Sequence, residues 1–286
     1  MPTQSKNVFE TINQAYYELT AAEKKAADFV IKNRERTQYL SISELAEESG
    51  VAEATISRFC RRLGYKGYNA FKLAIANAGA VSRVPSENNN PVHSSDSIPE
   101  LANKLYTAEN EALLQTLSLL RPEAIEQAIA VLKDAKKVLC MGQGGSMILA
   151  SEAAHLFSTF DGKYYAVSDS HMQIIAAATL STEDAVLFFS YSGSTRELME
   201  TLSVVQEQGA KVILITRFPR SPGAKLADVV LQCGSNENPL QHGSVPARIA
   251  QLFLLDILFT RLCLDDPETC RENRQRIAAA LADKHL

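Results

Sequence analysis

Ala185-Val-Leu-Phe-Phe-Ser-Tyr-Ser-Gly-Ser-Thr195 is the stretch that decides the fold. Its first half, 185–190, is a near-continuous apolar run of strand length. Its second half is a loop of hydroxyls around one glycine, and it opens a helical segment. A strand buried on both faces and followed directly by a helix is the repeating unit of a parallel sheet covered by helices. Working outward, the same pattern recurs at 137–141 (KVLCM), 164–167, 211–215 (KVILI) and 228–232 (DVVLQ), with helical stretches between. Pro122 sits where a first helical turn accepts it, and 123–134 is amphipathic. About five strands alternating with helices predict a doubly wound α/β domain over 101–286. In such sheets the ligand crevice lies beyond the carboxyl ends of the strands.

Two loops occupy that place. Gly142-Gln-Gly144-Gly145-Ser146 follows the 137–141 run, and Ser190-Tyr191-Ser192-Gly193-Ser194-Thr195 follows the 185–190 run. Each opens a helix, whose free N–H groups and dipole attract an anion. Glycines let the backbone approach closely. The hydroxyls of Ser146, Ser190, Ser192, Ser194 and Thr195 add donors without adding charge, which suits a phosphate monoester. A dinucleotide site is the main rival, because Gly142-x-Gly144 begins its fingerprint, but Met147 occupies the third glycine position. No G-K-[ST] follows, so a P-loop is excluded. Plain βα turns rich in small residues are the alternative; they explain the glycines and explain the five hydroxyls less well.

Toward the N-terminus the composition shifts. Residues 82–99 hold three prolines and five serines and little to bury, so 81–100 reads as a linker. Residues 1–80 read as all helix. Val8, Phe9, Ile12, Tyr16 and Leu19 recur at helical spacing. Thr20-Ala-Ala-Glu23 and Ser41-Ile-Ser-Glu44 are capping boxes. A short helix from 42, a tight turn at Gly50-Val51-Ala52 and a second helix over about 53–63 give the layout of a helix-turn-helix. Ile56, Phe59, Cys60 and Leu63 point inward. Glu53, Ala54, Thr55, Ser57, Arg58, Arg61 and Arg62 are expected outward. Thr55, Ser57 and Arg58 are placed to meet bases or phosphates, and Arg61, Arg62 and Lys66 suit phosphates. Ala52 stands where a Ser or Thr cap is expected, so packing has to compensate. A basic helical face used for protein contact is the blander alternative.

Bulk properties fit this division. Net charge is −4, but residues 1–80 carry 11 basic and 9 acidic residues against 18 and 24 in the remainder, so the two parts are expected to meet different partners. No apolar run is long enough to span a bilayer, and the N-terminus lacks the apolar stretch of a signal peptide, so a cytoplasmic chain is expected. Cys60, Cys140, Cys233, Cys263 and Cys270 are scattered without a C-x-x-C pair, which argues against a disulfide framework and a zinc site. No metal and no cofactor are expected.

Leu45-Ala46 through Ile56-Ser-Arg-Phe-Cys-Arg-Arg-Leu-Gly-Tyr-Lys-Gly-Tyr and Phe71-Lys72 resemble the N-terminal domain of RpiR-family regulators. Ser190-x-Ser-Gly-x-Thr195, preceded by Gly142-x-Gly-Gly-Ser146, resembles the sugar isomerase (SIS) domain that follows it in that family. Arg248-Ile-Ala-Gln-Leu-Phe-Leu-Leu-Asp256 resembles the family's last long helix. The resemblance implies a double-stranded DNA operator, a phosphosugar effector, and a homodimer or homotetramer. It implies that Ser146, Ser190, Ser192 and Thr195 hold the phosphate, with backbone donors from Gly145 and Tyr191. Asp169 and His171 lie in a loop that approaches the sugar in that family, and Gln241 and His242 are further possible sugar contacts. In sugar isomerases of this superfamily a glutamate precedes the last long helix. Here that place reads Pro239-Leu-Gln241-His-Gly243, and glutamine cannot serve as a base. No catalytic residue is therefore assigned, although His242 and Glu237 leave a sugar-phosphate isomerase as the alternative.

Overall fold

The computed structural model describes residues 8–81, 92–235 and 244–282. They form two compact units that divide after Lys104.

The N-terminal unit is helical: α1 (Val8–Ala15), a 3-10 turn at Tyr16–Glu18, α2 (Ala21–Lys32), α3 (Arg34–Thr37), α4 (Ile42–Glu48), α5 (Glu53–Arg62) and α6 (Tyr68–Val81). Both expected capping boxes are formed, Thr20 with Glu23 at α2 and Ser41 with Glu44 at α4. Ile12, Val30, Leu45, Ile56, Phe59 and Phe71 are fully buried. Phe59 and Phe71 meet edge to face at 5.4 Å, which locks α5 against α6.

In the C-terminal direction α7 (Ile98–Leu119) begins inside the stretch read as a linker. Its start has a local cause. The Ser97 amide and hydroxyl both donate to the Glu100 carboxylate at 2.8 and 2.7 Å, a helix-opening pair hidden in a serine-rich segment. Residues 82–91 of the expected linker lie outside the described residues.

The remaining elements are α8 (Pro122–Asp134), β1 (Val138–Gly142), α9 (Gly145–Ser158), β2 (Tyr164–Val167), α10 (Ser170–Ala177), β3 (Ala185–Phe189), α11 (Arg196–Gln208), β4 (Lys211–Thr216), β5 (Val229–Gln232), α12 (Val245–Asp265) and α13 (Pro267–Leu281). The five strands pair in parallel in the order β2-β1-β3-β4-β5. Successive residues of a strand face opposite sides. Cys140, Leu187, Phe189, Ile213 and Ile215 therefore pack on one face with residues of α8, α9 and α12. Leu139, Met141, Val186, Phe188, Val212 and Leu214 pack on the other with residues of α10 and α11. Both faces are covered, which is why the strands are continuous apolar runs rather than alternating ones.

Candidate functional site

The helix-turn-helix is α4, the turn at Gly50-Val51-Ala52, and α5. Ala52 caps α5 with no side-chain bond. The compensation is tertiary: the Ser43 hydroxyl of α4 donates to the Glu53 carboxylate at the start of α5, 2.7 Å away. One expected outward residue is placed differently, and another, Arg62, is exposed as expected but engaged within the unit. Thr55 is only 6% exposed, because it lies one turn before Phe59 on the face that enters the core. Its hydroxyl accepts from the Arg58 guanidinium at 3.4 Å. Arg62 is tied within the unit, to the Glu23 carboxylate at 3.3 Å and the Glu18 carbonyl at 3.1 Å. Burial works to raise the Glu23 carboxyl, but the Thr20 amide and hydroxyl and the Arg62 guanidinium outweigh it and hold it below its ordinary value. Arg58, Arg61 and Lys66 are exposed and Ser57 is half-buried, so the outer face of α5 is basic.

The second site lies where the sheet order reverses. From β1 the chain crosses to β2 on one side, and β3 pairs on the other. Gly142, the last residue of β1, pairs with Phe189, the last of β3. The two hydroxyl-rich loops therefore leave neighbouring strands at the carboxyl edge, at the switch point where such sheets bind ligands.

In the first loop a side chain at Gly142 would meet the Ser146 backbone at 2.7 Å, so only glycine lets α9 start this close to the strand. Gln173, which the sequence reading did not single out, fastens this loop. Its buried amide donates to the carbonyls of Gly142 at 3.0 Å and Val167 at 2.7 Å, and its Oε1 accepts from Gln143 at 2.7 Å. Gly144 and Gly145 are exposed and Ser146 is half-buried at the opening of α9.

The second loop is braced from below. Ser190 is buried, and its hydroxyl oxygen accepts from the Gly193 amide at 3.2 Å. The Tyr191 carbonyl accepts from the Thr216 hydroxyl and the Arg217 amide, both at 3.0 Å. The Gly193 carbonyl accepts from the Gly223 amide at 2.8 Å. Gly193 itself has φ +57, and a Cβ there would collide with the Ser221 side chain. Ser192 accepts from the Ser194 amide at 3.4 Å. Thr195 is the N-cap of α11, yet its side chain makes no capping bond. Its hydroxyl is buried with no hydrogen-bond partner. Buried hydroxyls are almost always satisfied, and this one is among five buried side-chain polar atoms of the described residues that have no partner.

Asp169 caps α10, accepting from the Met172 amide at 2.9 Å, and His171 is exposed in the first turn of that helix. Gln241 and His242 lie outside the described residues. All five cysteines are free thiols, and burial pushes those of Cys60 and Cys140 up to about 12. Among the described residues no cluster of three or more metal-ligating side chains is found, and no helix is long and apolar enough to cross a membrane.

A description of the rpiR-family helix-turn-helix domain matches residues 6–82, and one of the SIS domain matches residues 131–261. An uncharacterized HTH-type transcriptional regulator of Haemophilus influenzae is 30% identical over 285 residues, covering 99% of each chain. Another from Clostridium perfringens is 31% identical over 255 residues, covering 89% of this chain and 91% of the relative. In fold, the chain is similar to the Vibrio vulnificus NanR protein, solved in complex with ManNAc-6P. The TM-score is 0.87 at 23% identity, over 97% of this chain and 98% of that one.

Proposed function

The chain belongs to the RpiR family of helix-turn-helix transcriptional regulators with a SIS domain, and we propose that it regulates sugar-metabolism genes in response to a phosphosugar held between the loops after β1 and β3. The observation that carries the effector half is the unpartnered Thr195 hydroxyl at the N-terminus of α11. A phosphate oxygen there accepts from that hydroxyl and from the free amides of the first turn, in the field of the helix dipole. Ser146, Ser192, Ser194 and the backbones of Gly144, Gly145, Tyr191 and Gly193 complete the donor set, while Ser190 shapes the loop.

The DNA half rests on α5. Arg58 and Ser57 meet base edges or phosphates, and Arg61 and Lys66 meet phosphates. The chain works as a homodimer or homotetramer in the cytoplasm, with residues 1–80 and 101–286 as its two functional modules and 81–100 joining them. It is a sensor and not an enzyme. Effector and operator communicate through their different affinities for two arrangements of the protein.

The test is operator affinity at fixed salt, with and without a panel of sugar 6-phosphates. Amino-sugar phosphates come first, because the fold relative was solved with ManNAc-6P. A shift with one of them supports the reading, and indifference to all of them refutes it. Incubation with aldose and ketose phosphates in deuterated water tests the exclusion of catalysis, since an enediol route incorporates solvent deuterium.

A further inference from the structure

Two side chains on α12, the half-buried Arg248 and the buried Gln251, each hold a buried polar atom without a partner. The Arg248 Nε and the Gln251 Oε1 make no hydrogen bond, and Gln251 is only 2% exposed. Spaced three apart, they lie on one face of the helix. An unmatched donor and acceptor side by side cost stability in the free chain and call for an external group that supplies both complements.

The direction of α12 says where that group sits. Asp265, at its end, pairs with Lys133 in the last turn of α8, which leads directly into β1. The end of α12 is therefore at the amino edge of the sheet, and its first turns are toward the carboxyl edge. From Asp265 back to Gln251 is about 21 Å of helix, longer than the roughly 16 Å that a five-residue strand spans. α12 also runs alongside α9. Phe259 stacks on Phe157 at 5.8 Å with an interplanar angle of 19°. Eight residues before each stand Gln251 and Leu149, and three further back stand Arg248 and Ser146. At about 1.5 Å per residue on both helices, the unpartnered pair reaches the level of the first turn of α9, where the phosphate loop opens.

We infer that Arg248 and Gln251 form the sugar-facing wall of the effector site, reading the hydroxyl-bearing body of a phosphorylated sugar whose phosphate the two loops hold. The inference rests on the phosphosugar reading above and adds to it the residues that discriminate among sugars. The loops are donor-rich and suit the phosphate. Gln251 Oε1 accepts a hydrogen bond from a sugar hydroxyl, while the Arg248 Nε–H donates one to a neighbouring sugar oxygen. A site built to bond a hydroxyl rejects ligands that lack it, because its own groups are then left unpaired.

The experiment compares calorimetric affinities of the full chain for inorganic phosphate and for a panel of hexose and amino-sugar 6-phosphates. The proteins are wild type, Gln251→Leu and Arg248→Met, each with its oligomeric state checked by sedimentation. Wild type is expected to prefer one sugar phosphate over inorganic phosphate. Each variant should lose about tenfold or more of that preference with its assembly intact. An unchanged preference in both variants overturns the inference. So does a preference lost only together with subunit dissociation, which assigns the pair to an interface. If wild type binds phosphate but prefers no sugar phosphate, this inference falls and the anion site stands. If it binds neither, the phosphosugar reading falls first.

Discussion

Tyr191 and Gln115 hold the same residue from two sides. The Tyr191 hydroxyl donates to the Ser235 carbonyl at 3.0 Å, and the Gln115 Oε1 accepts from the Ser235 amide at 3.0 Å. Ser235 has φ +78, a conformation that costs a non-glycine residue about 1 kcal/mol or more and persists only where its surroundings impose it. The adjacent Gly234 amide donates to the Thr116 hydroxyl at 2.9 Å. A residue of the loop after β3, the proposed phosphate site, is thereby linked to α7 through two side chains and one strained backbone unit.

Removing the two links should have unequal effects. Gln115→Leu strands the Ser235 amide and should destabilise the SIS domain by about 1–2 kcal/mol. Tyr191→Phe should cost less, about 0.5–1 kcal/mol, because Arg217 also donates to the Ser235 carbonyl at 3.0 Å. Urea unfolding of both variants checks the order. Equal losses would mean that the Ser235 amide is satisfied by something else once Gln115 is gone.

Gly193→Ala should be among the most damaging single changes in the domain. The added carbon collides with Ser221 and lies 3.0 Å from the Thr216 hydroxyl, in a backbone conformation that disfavours any side chain. Overpacking and the left-handed conformation together predict a loss of about 2–4 kcal/mol. Gly162→Ala is the control, since nothing lies within 4 Å of a Cβ there, and it should stay within about 0.5 kcal/mol of wild type. Thermal unfolding of the two variants side by side decides the matter.

Thr195→Val separates ligand binding from stability. The hydroxyl is buried and unpartnered, so an isosteric methyl should leave the free protein as stable as wild type or up to about 1 kcal/mol more stable. Affinity for the effector should nevertheless fall by about tenfold or more. A variant that unfolds earlier yet binds as before would show that the hydroxyl serves the fold.

How far these features were legible in the sequence depends on whether a residue's role is local. The five strands are continuous apolar runs, so burial on both faces announces them. The capping boxes at Thr20 and Ser41 are contained in four residues each. Ser97-x-x-Glu100 is the same signal, but its serine- and proline-rich surroundings favoured a linker. Gln173 and Gln251 are single glutamines in helical stretches, and nothing local distinguishes one that fastens a loop from one left unmatched. The polarity of Thr55 points outward, although its place one turn before Phe59 carries it inward. The two loops after β1 and β3 are legible as glycines and hydroxyls, whereas the orphaned state of Thr195 depends on how the chain packs.

Arg61 and Arg62 are neighbours in sequence with different work to do, and paired alanine variants should separate them. Arg61 is exposed on the basic face of α5, so Arg61→Ala should weaken operator and random DNA alike and reduce the slope of log affinity against log salt by about one. Stability should barely change. Arg62→Ala instead removes a partner of Glu23, whose side chain is 3% exposed, and should cost about 1 kcal/mol, kept small because Arg62 is itself half in solvent. The pH dependence follows from the same pair. The Glu23 carboxyl is held below its ordinary 4.5, so the folded unit binds its proton less readily than the unfolded chain. Its contribution is fully present above that value and is lost as pH falls through the lower folded value. Arg62→Ala weakens the hold on Glu23, so its deficit relative to wild type should be greatest near neutral pH and shrink in acid. A deficit that stays constant from pH 7 to pH 3 would mean that Arg62 stabilises the unit through packing of its stem and not through its charge.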